Sequence, residues 1–393
     1  MISRPTLVVA TLGSAQTLAW GSTYYLPAIL AGPMSRELGV STGTVFAAFS
    51  TALIVTALLG PLAGRHIDRF GGRNVLALSS LIFAAGLALL GAAQGTVMLF
   101  AAWLTIGAGM ALGLYEAAFA TLARLYGSEA RGAITGITLI AGLASTICWP
   151  VSAWLELEVG WRLTCFVWAA AHIVVGLPLN RFLVPASTRP VVAAVPKVAP
   201  EVSSSAPAPQ TATMVLLAFV FAATWFTSTA MAAHLPGLLQ AAGATPAAAI
   251  AAAALIGPAQ VAGRLLEFGA LRRFHPLLSA RLAAFAHPLG AAAILGFGAP
   301  AAMVFTALHG AGNGILTIAK GTLPLAIFGP AGYGFRQGIL MVPARFAQAG
   351  APFLFALLLD RYGASALLLT SALGLASVAA LVLLDPSSKV ECA

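Results

Sequence analysis

Charged side chains are scarce in this 393-residue sequence. Lysine, arginine, aspartate and glutamate make up 8% of the residues, whereas 60% are hydrophobic. Because ordinary soluble domains contain roughly 25% charged residues, this composition excludes a soluble globular domain. It predicts an integral membrane protein that has the lipid bilayer as its surroundings. The formal net charge of +9 is spread over turns between apolar segments, so we expect no nucleic-acid partner.

Cysteines and catalytic motifs are also few or absent. Cys148, Cys165 and Cys392 form no C-x-x-C pair, so the sequence predicts neither a disulfide framework nor a zinc site, and we expect no metal or other cofactor. The sequence contains no G-x-x-x-x-G-K-[ST] motif, which argues against ATP-driven transport. It also lacks H-E-x-x-H and any clear nucleophile motif, so we expect no enzymatic activity.

Long apolar runs dominate what remains. One bilayer crossing needs about 20 apolar residues, and the sequence predicts an all-α membrane protein with twelve transmembrane helices. The predicted spans cover residues 6–31, 44–64, 74–93, 97–124, 132–154, 162–184, 213–239, 246–266, 276–297, 300–328, 337–359 and 363–384. Lysine and arginine concentrate in alternate loops, and the other loops keep only Arg36, Arg162 and Arg361. This asymmetry predicts that both termini are cytoplasmic. The short, uncleaved N-terminus and compact loops favour a bacterial inner membrane.

The chain is predicted to consist of two related halves. The segment 185–212 is rich in proline, serine and threonine and indicates a cytoplasmic linker between an N-terminal bundle, 1–184, and a C-terminal bundle, 213–393. The GAG sequence at 107–109 recurs at 310–312, and Tyr-Leu-Pro at 25–27 recurs as His-Leu-Pro at 234–236. Such repetition is typical of transporters that bind substrate between two halves. The glycines of the repeated GAG are spaced for close helix packing, with flexing during transport as the alternative.

The loop at 60–73 reads GPLAGRHIDRFGGR and carries four charges in an otherwise apolar region. A stop-transfer cluster of basic residues is one explanation. The spacing G-x-x-x-D-R-x-G-G-R, however, resembles the signature loop between helices 2 and 3 of the major facilitator superfamily. The second half keeps a degenerate copy with Gly263, Arg264 and Glu267. The resemblance implies two pseudo-symmetric six-helix bundles. It also implies a conformational gate that does not touch substrate, formed by Gly64, Asp68, Arg69 and Arg73.

Three charged residues lie well inside predicted spans and at about the same depth, where charges are costly and therefore informative. Glu116 lies about eight residues, or ~12 Å, from the cytoplasmic end of span 4. Lys320 and Arg345 lie at similar depths in spans 10 and 11. We predict that Glu116 gains and loses a proton while Lys320 or Arg345 holds an anionic substrate. A static salt bridge between the bundles is one alternative, and a lock on the inner gate is another.

Further candidate substrate contacts are polar residues in spans that line the cavity in the superfamily. Tyr24, Tyr25 and His234 each bring a hydrogen-bonding group that needs a partner in the membrane. Asn313 in span 10 is a fourth candidate. For His309 and His172 we expect structural hydrogen bonds.

The first three spans are similar to those of the monocarboxylate and oxalate/formate porters. The resemblance rests on Trp20-Gly21, on the run from Gly32-Pro33 to Leu38-Gly39, and on the loop GRHIDRFGGR. It implies a functional monomer that carries a small organic anion by alternating access, in symport with protons. Proton-coupled export of drugs or toxic compounds is the alternative, although span 5 lacks the G-x-x-x-G-P-x-x-G-G pattern of drug and proton antiporters. A sensor without transport activity is a third hypothesis.

Overall fold

The computed structural model describes residues 4–186 and 208–384, and within these ranges the regular secondary structure is helical with no strand. Most of the linker 185–212, and the C-terminal residues from 385 that include Cys392, lie outside the described ranges. The α-helices are α1 (Arg4–Ser22), α2 (Pro27–Leu38), α3 (Thr42–Phe70), α4 (Arg73–Gly91), α5 (Thr96–Gly113), α6 (Tyr115–Tyr126), α7 (Ala130–Ala141), α8 (Ala144–Ala171), α9 (Ala208–Ala241), α10 (Pro246–Ala254), α11 (Ile256–Gly269), α12 (Pro276–Phe297), α13 (Ala302–Phe328), α14 (Tyr333–Tyr362) and α15 (Leu367–Val382). The predicted all-α membrane fold is confirmed.

Helix ends follow local sequence signals. The Ser41 hydroxyl accepts the backbone N–H of Thr44 and caps α3, and the Thr245 hydroxyl caps α10 in the same way. Such side chains satisfy donors that the first helical turn leaves unpaired. Gly71 ends α3 at φ 85° and Gly329 ends α13 at φ 73°. Only glycine adopts this left-handed region readily, so both turns are sharp.

Eight helical segments in the described ranges are long and apolar enough to cross a membrane. Two of them exceed one crossing, because Thr96–Leu183 has 88 residues and Tyr333–Val382 has 50. Within α8, Gly160 at φ 78° separates two helical stretches at the place where the sequence predicts the turn between spans 5 and 6. The protein is therefore a multi-pass membrane protein, and the count of twelve spans stays a prediction.

Several predicted spans are broken into two helices. Leu114, with ψ −170°, separates α5 from α6, and Leu255 separates α10 from α11. Residues 23–26 separate α1 from α2, and 142–143 separate α7 from α8. A break inside a membrane frees backbone groups that need partners. At the break at Leu114, Gln16 is such a partner, because its side-chain amide donates to the carbonyl of Gly113 at 2.6 Å.

The buried apolar residues form one large cluster, almost entirely from residues 8–184, and two clusters from residues 217–384. The two halves of the chain pack against each other mainly through α3 against α14, and through α6 and α7 against α11, α13 and α14. Gly64 and Gly334 bring the backbones of α3 and α14 into direct contact. The exact bundle boundaries remain a proposal. We call the end of the molecule with the turn between α3 and α4 the α3–α4 side.

Candidate functional site

A buried ion pair joins the two halves at the centre of the molecule. The Arg345 guanidinium on α14 lies 2.8 Å from a carboxylate oxygen of Glu116 at the start of α6. Arg345 is only 1% exposed. Its second terminal nitrogen donates to Gln348 at 2.9 Å, and the Gln348 amide donates to the hydroxyl of Tyr24 at 2.9 Å. Three predicted site residues, Glu116, Arg345 and Tyr24, therefore lie in one hydrogen-bonded chain, with Gln348 as a member that the sequence did not indicate.

The break at Leu114 positions Glu116. It places Glu116 in the first turn of α6, where unpaired backbone N–H groups and the helix dipole favour a negative charge. A half-helix end that points at a charged group near the membrane centre is a recurrent arrangement in transporters. A small cavity of about 10 Å³ adjoins the pair, lined by Glu116, Arg345, Thr56, Gly338 and other residues. The ion pair thus borders a cavity with room for about one water molecule.

Lys320 is a buried cation that forms no ion pair within the described ranges, although it interacts electrostatically with Glu116. Its side chain is 4% exposed, and its ammonium lies 4.0 Å from the centroid of the Trp225 ring. The same ring lies 5.4 Å from the Arg345 guanidinium. None of the ion pairs in the described part of the chain includes Lys320. The Trp225 ring lowers the cost of burying this ammonium but cannot neutralise its charge.

Aromatic rings form a wall beside these charges. Trp20 stacks on Trp225 with centroids 6.3 Å apart and planes 7° apart. Trp20 also contacts Tyr24 at 5.1 Å and Tyr115 at 5.0 Å. The indole N–H groups of Trp20 and Trp225 are buried, and neither has a hydrogen-bond partner among the described residues. The wall therefore presents two unused donors next to the cations.

Arg264 is a third buried cation, which the sequence had assigned to a loop. It is 5% exposed and packs against Gly142 at the break between α7 and α8. Its contact with Gln260 is long, 3.4 Å, and its other guanidinium nitrogens have no partner among the described residues. It interacts electrostatically with Tyr25 and Tyr115. Helical geometry could have indicated this burial from the sequence. Side chains lean toward the N-terminus of their helix, and this direction takes the Arg264 side chain toward the membrane centre.

The remaining predicted contacts are dispersed. Tyr25 lies beside Tyr24, and its carbonyl accepts the indole N–H of Trp149 at 3.1 Å. His234 makes a 2.7 Å hydrogen bond to the carbonyl of Pro352. Asn313 lines a different cavity, within the second half of the chain. The structure thus brings Tyr24 to the charged cluster and Tyr25 to its edge, whereas His234 and Asn313 lie elsewhere.

Of the predicted gate residues, some contact the other half of the chain and others do not. The two carboxylate oxygens of Asp68 accept the backbone N–H groups of Gly334 and Phe335, each at 2.8 Å. Asp68 therefore caps the start of α14 from the opposite half of the chain. Arg69 is exposed and Arg73 partly exposed, and neither makes a hydrogen bond or ion pair within the described ranges. Arg65 instead lies 4.8 Å over the ring of Phe335.

A second clasp lies on the same side and repeats this arrangement. The guanidinium of Arg131, near the start of α7, lies 3.1 Å from the carboxylate of Glu267 near the end of α11. It also donates to the carbonyl of Phe274 at 2.8 Å. Glu267 belongs to the degenerate copy of the loop 60–73. Each half therefore uses an acidic residue at the end of one helix to hold the start of a helix in the other half.

A multi-pass helical protein with a charged cavity between two clasped halves has the architecture of a membrane carrier. A sequence model described as Major Facilitator Superfamily matches residues 12–302. The chain belongs to this superfamily, whose members are transporters and not enzymes.

Comparison with solved structures agrees with this assignment. The transporter FucP in its outward conformation has a TM-score of 0.76 at 13% identity, covering 97% of this chain and 99% of FucP. The proton:xylose symporter XylE has a TM-score of 0.70 at 13% identity, covering 95% and 94%. The human organic anion transporter MFSD10 has a TM-score of 0.68 at 18% identity, covering 96% and 98%. These likenesses show the fold alone, and no curated protein matches the sequence.

Proposed function

We propose that this carrier moves a small organic anion across a bacterial inner membrane by alternating access, in symport with protons and as a monomer. Both termini and the α3–α4 side are cytoplasmic in this proposal. The observation that carries it is Lys320, a buried ammonium over Trp225 that forms no direct ion pair in the described structure. An unpaired buried charge is strongly unfavourable, so a site that keeps one is suited to a ligand of opposite charge.

The balance of charge supports an anion over a cation. Lys320, Arg345 and Arg264 contribute three positive charges to the central region, and Glu116 contributes one negative charge. An anion bound between Lys320 and Arg345 would offset part of this excess. Its oxygens would also accept the unused N–H groups of Trp20 and Trp225. Charge-assisted hydrogen bonds of this kind are roughly twice as strong as neutral ones.

The Glu116–Arg345 pair supplies the proposed coupling. A substrate carboxylate that binds Arg345 competes with Glu116 for the same guanidinium. A carboxylate that loses its cationic partner in a low dielectric favours its protonated form, so anion and proton load together. After both leave on the other side, Glu116 pairs with Arg345 again and the empty carrier reorients. A monoanion and one proton together move no net charge, so the pH gradient, and not the membrane potential, drives this accumulation.

Alternating access requires the two clasps on the α3–α4 side to open. Asp68 and Arg131 close this side in the present conformation. We propose that both clasps break when the carrier opens to the cytoplasm. Proton symport and organic anion transport both occur on this fold, as the names of XylE and MFSD10 state, and this supports the proposal.

Uptake into proteoliposomes tests the proposal. The purified full chain would be offered labelled small mono- and dicarboxylates, sugars and lipophilic cations, with an imposed pH gradient and a pH dye inside. We expect carboxylate entry accompanied by protons. Lys320→Gln should lower the apparent affinity at least tenfold, and Lys320→Arg should retain most of it. Arg36→Gln, which removes an exposed cation, is the matched control.

The alternative is export of drugs or toxic compounds by proton antiport. The aromatic wall of Trp20, Trp225, Tyr24 and Tyr115 is the observation that favours it, since stacked rings bind planar apolar compounds. Proton movement driven only by lipophilic cations or neutral compounds would contradict the anion symporter and support this alternative. Unchanged anion affinity in Lys320→Gln would overturn the assigned role of Lys320.

A further inference from the structure

Two histidines form a buried pair in the second half of the chain. The Nδ1 atoms of His287 on α12 and His309 on α13 lie 2.9 Å apart. The residues are 7% and 3% exposed. The Nε2 atoms of both rings are buried and have no hydrogen-bond partner among the described residues. The protein thus leaves one nitrogen of each ring free for a water molecule or a proton.

The pair borders a cavity between α9, α12, α13 and α15. The cavity has a volume of about 30 Å³, which is enough for water. Its lining is mostly apolar, and its polar groups, besides the two imidazoles, come from Thr224, Thr227, Asn313 and Ser377. These groups and the free imidazole nitrogens offer a water molecule the hydrogen-bond partners it needs. Asn313, which the sequence proposed as a substrate contact, belongs to this cavity.

We propose that the His287–His309 pair is a second proton-binding site, which takes up one proton in each transport cycle. The proposal rests on the proton-coupled transport proposed above. In the neutral pair one ring donates its Nδ1–H to the other ring and keeps a free lone pair on Nε2. That Nε2 accepts a proton that comes from the external medium and is relayed by cavity water, so the water stays neutral. The Nδ1–H···Nδ1 bond then becomes charge-assisted and shares the positive charge between two rings.

The electrostatic surroundings allow one proton to be bound and released. The described residues that line the cavity include no carboxylate, lysine or arginine, so no fixed charge locks the pair in one state. The other ionisable side chains on α12, α13 and the described helices packed against them do not line the cavity. They are Glu116 and Arg124 on α6, Arg131 on α7, His234 on α9, Arg264 and Glu267 on α11, Arg272 and Arg273 in the turn after α11, Arg281 on α12, Lys320 on α13, and Arg336, Arg345, Asp360 and Arg361 on α14.

The position of the pair relative to Lys320 suggests how it acts. His309 precedes Lys320 by three helical turns, about 16 Å, and the two side chains lie on nearly the same face of α13. Asn313 lies between them on that face. Seven residues, about 10 Å, separate His309 from the start of α13 at the end opposite to the α3–α4 side. A proton can therefore enter from that end, and its charge at the pair repels the Lys320 ammonium along the same helix.

Transport measurements on matched variants test the site. Three quantities would be measured for His287→Gln and His309→Gln. They are proton-driven anion uptake between external pH 5.5 and 8, the number of protons carried per anion, and anion exchange at equal pH on both sides. We expect both variants to lose about one proton per anion and to show a flattened pH profile. The loss of driven uptake should exceed the loss of exchange at least tenfold, because exchange needs no net proton movement. His172→Gln removes an equally buried histidine that pairs with Ser22 and is the control.

Hydrogen–deuterium exchange at the imidazole C2 position, read residue by residue in the wild-type chain, gives a test that needs no variant. One added proton on the pair between pH 8 and pH 5 supports the proposal. The proposal is overturned if both rings stay neutral down to pH 5, or if the variants carry as many protons per anion as the wild type. It is also overturned if micromolar Zn²⁺ slows C2 exchange in both rings, because the pair would then be a metal site. If the wild-type protein shows no proton-coupled anion uptake, the proposed function is contradicted. The C2 exchange measurement then still shows whether the His287–His309 pair binds a proton.

Discussion

Asp68 and Gly334 are 266 positions apart in sequence, yet a carboxylate oxygen of Asp68 accepts the backbone N–H of Gly334 at 2.8 Å. The second oxygen accepts the next N–H, that of Phe335. The acidic residue of one half thus satisfies the first turn of a helix in the other half, where the helix dipole favours negative charge. This contact is one of the two clasps that close the α3–α4 side, and unlike the Arg131–Glu267 clasp it is not an ion pair.

Removing the charge of Asp68 should open that side. Hydrogen bonds to charged groups contribute about 1.5–3 kcal/mol, so we expect Asp68→Asn to raise the population of the open state roughly tenfold or more. The measurement is the alkylation rate of Ala120→Cys, which replaces a buried residue beside Gly334, after the native cysteines are replaced. Arg69→Gln should leave the rate unchanged, because Arg69 makes no contact here. Equal rates in Asp68→Asn and wild type would show that the carboxylate does not hold the clasp.

The close approach of α3 and α14 leads to a prediction about stability and transport rate. A methyl group at Gly64 would clash with the carbonyl oxygen of Gly334, whereas one at Gly60 would meet nothing within 4 Å. Overpacking against a rigid backbone costs about 1–3 kcal/mol. Gly64→Ala should therefore lower thermal stability and slow transport, and Gly60→Ala on the same helix should do neither. Similar losses in both variants would point to helix propensity as the cause and not to the contact.

The Glu116–Arg345 pair should behave as a unit. Removing one partner leaves a buried charge alone, so we expect Arg345→Gln to destabilise the protein by about 3–5 kcal/mol. The double variant Glu116→Gln/Arg345→Gln should recover most of this loss but should not regain proton-coupled uptake. Thermal unfolding in detergent gives the coupling energy from the four-protein cycle. Additive effects of the two substitutions would indicate that the residues act independently.

A peripheral cluster at Glu37 predicts a pH effect on stability. Hydrogen bonds from Arg162, at 2.6 Å, and from Trp161 lower the pKa of Glu37 below its ordinary value. A lowered folded-state pKa means that the contacts stabilise the protein above the unfolded value and are lost as the pH falls through the folded value. Glu37→Gln should therefore lower the melting temperature at pH 7, and the difference should shrink below about pH 4. Glu158→Gln, an exposed acid on α8, should have no effect at either pH.

The class of protein and the position of its charges could be read from the sequence. Composition predicted the membrane, and the spacing in the loop 60–73 predicted the superfamily, because both depend on residue type and chain order alone. The depth predicted for Glu116, Lys320 and Arg345 rests on counting residues along a helix of known rise. These are one-dimensional properties, and they hold whichever helices become neighbours.

Partner choice was decided only by the tertiary structure. The sequence could not show that Arg345 and not Lys320 pairs with Glu116, since both cations lie at a suitable depth. Nor could it show that Asp68 binds backbone N–H groups, because almost every residue carries that group. Arg264 was assigned to a loop, and His287 was not singled out at all. Their burial and the approach of His287 to His309 depend on which helices pack together and how their faces turn, and no local pattern in the chain specifies that packing.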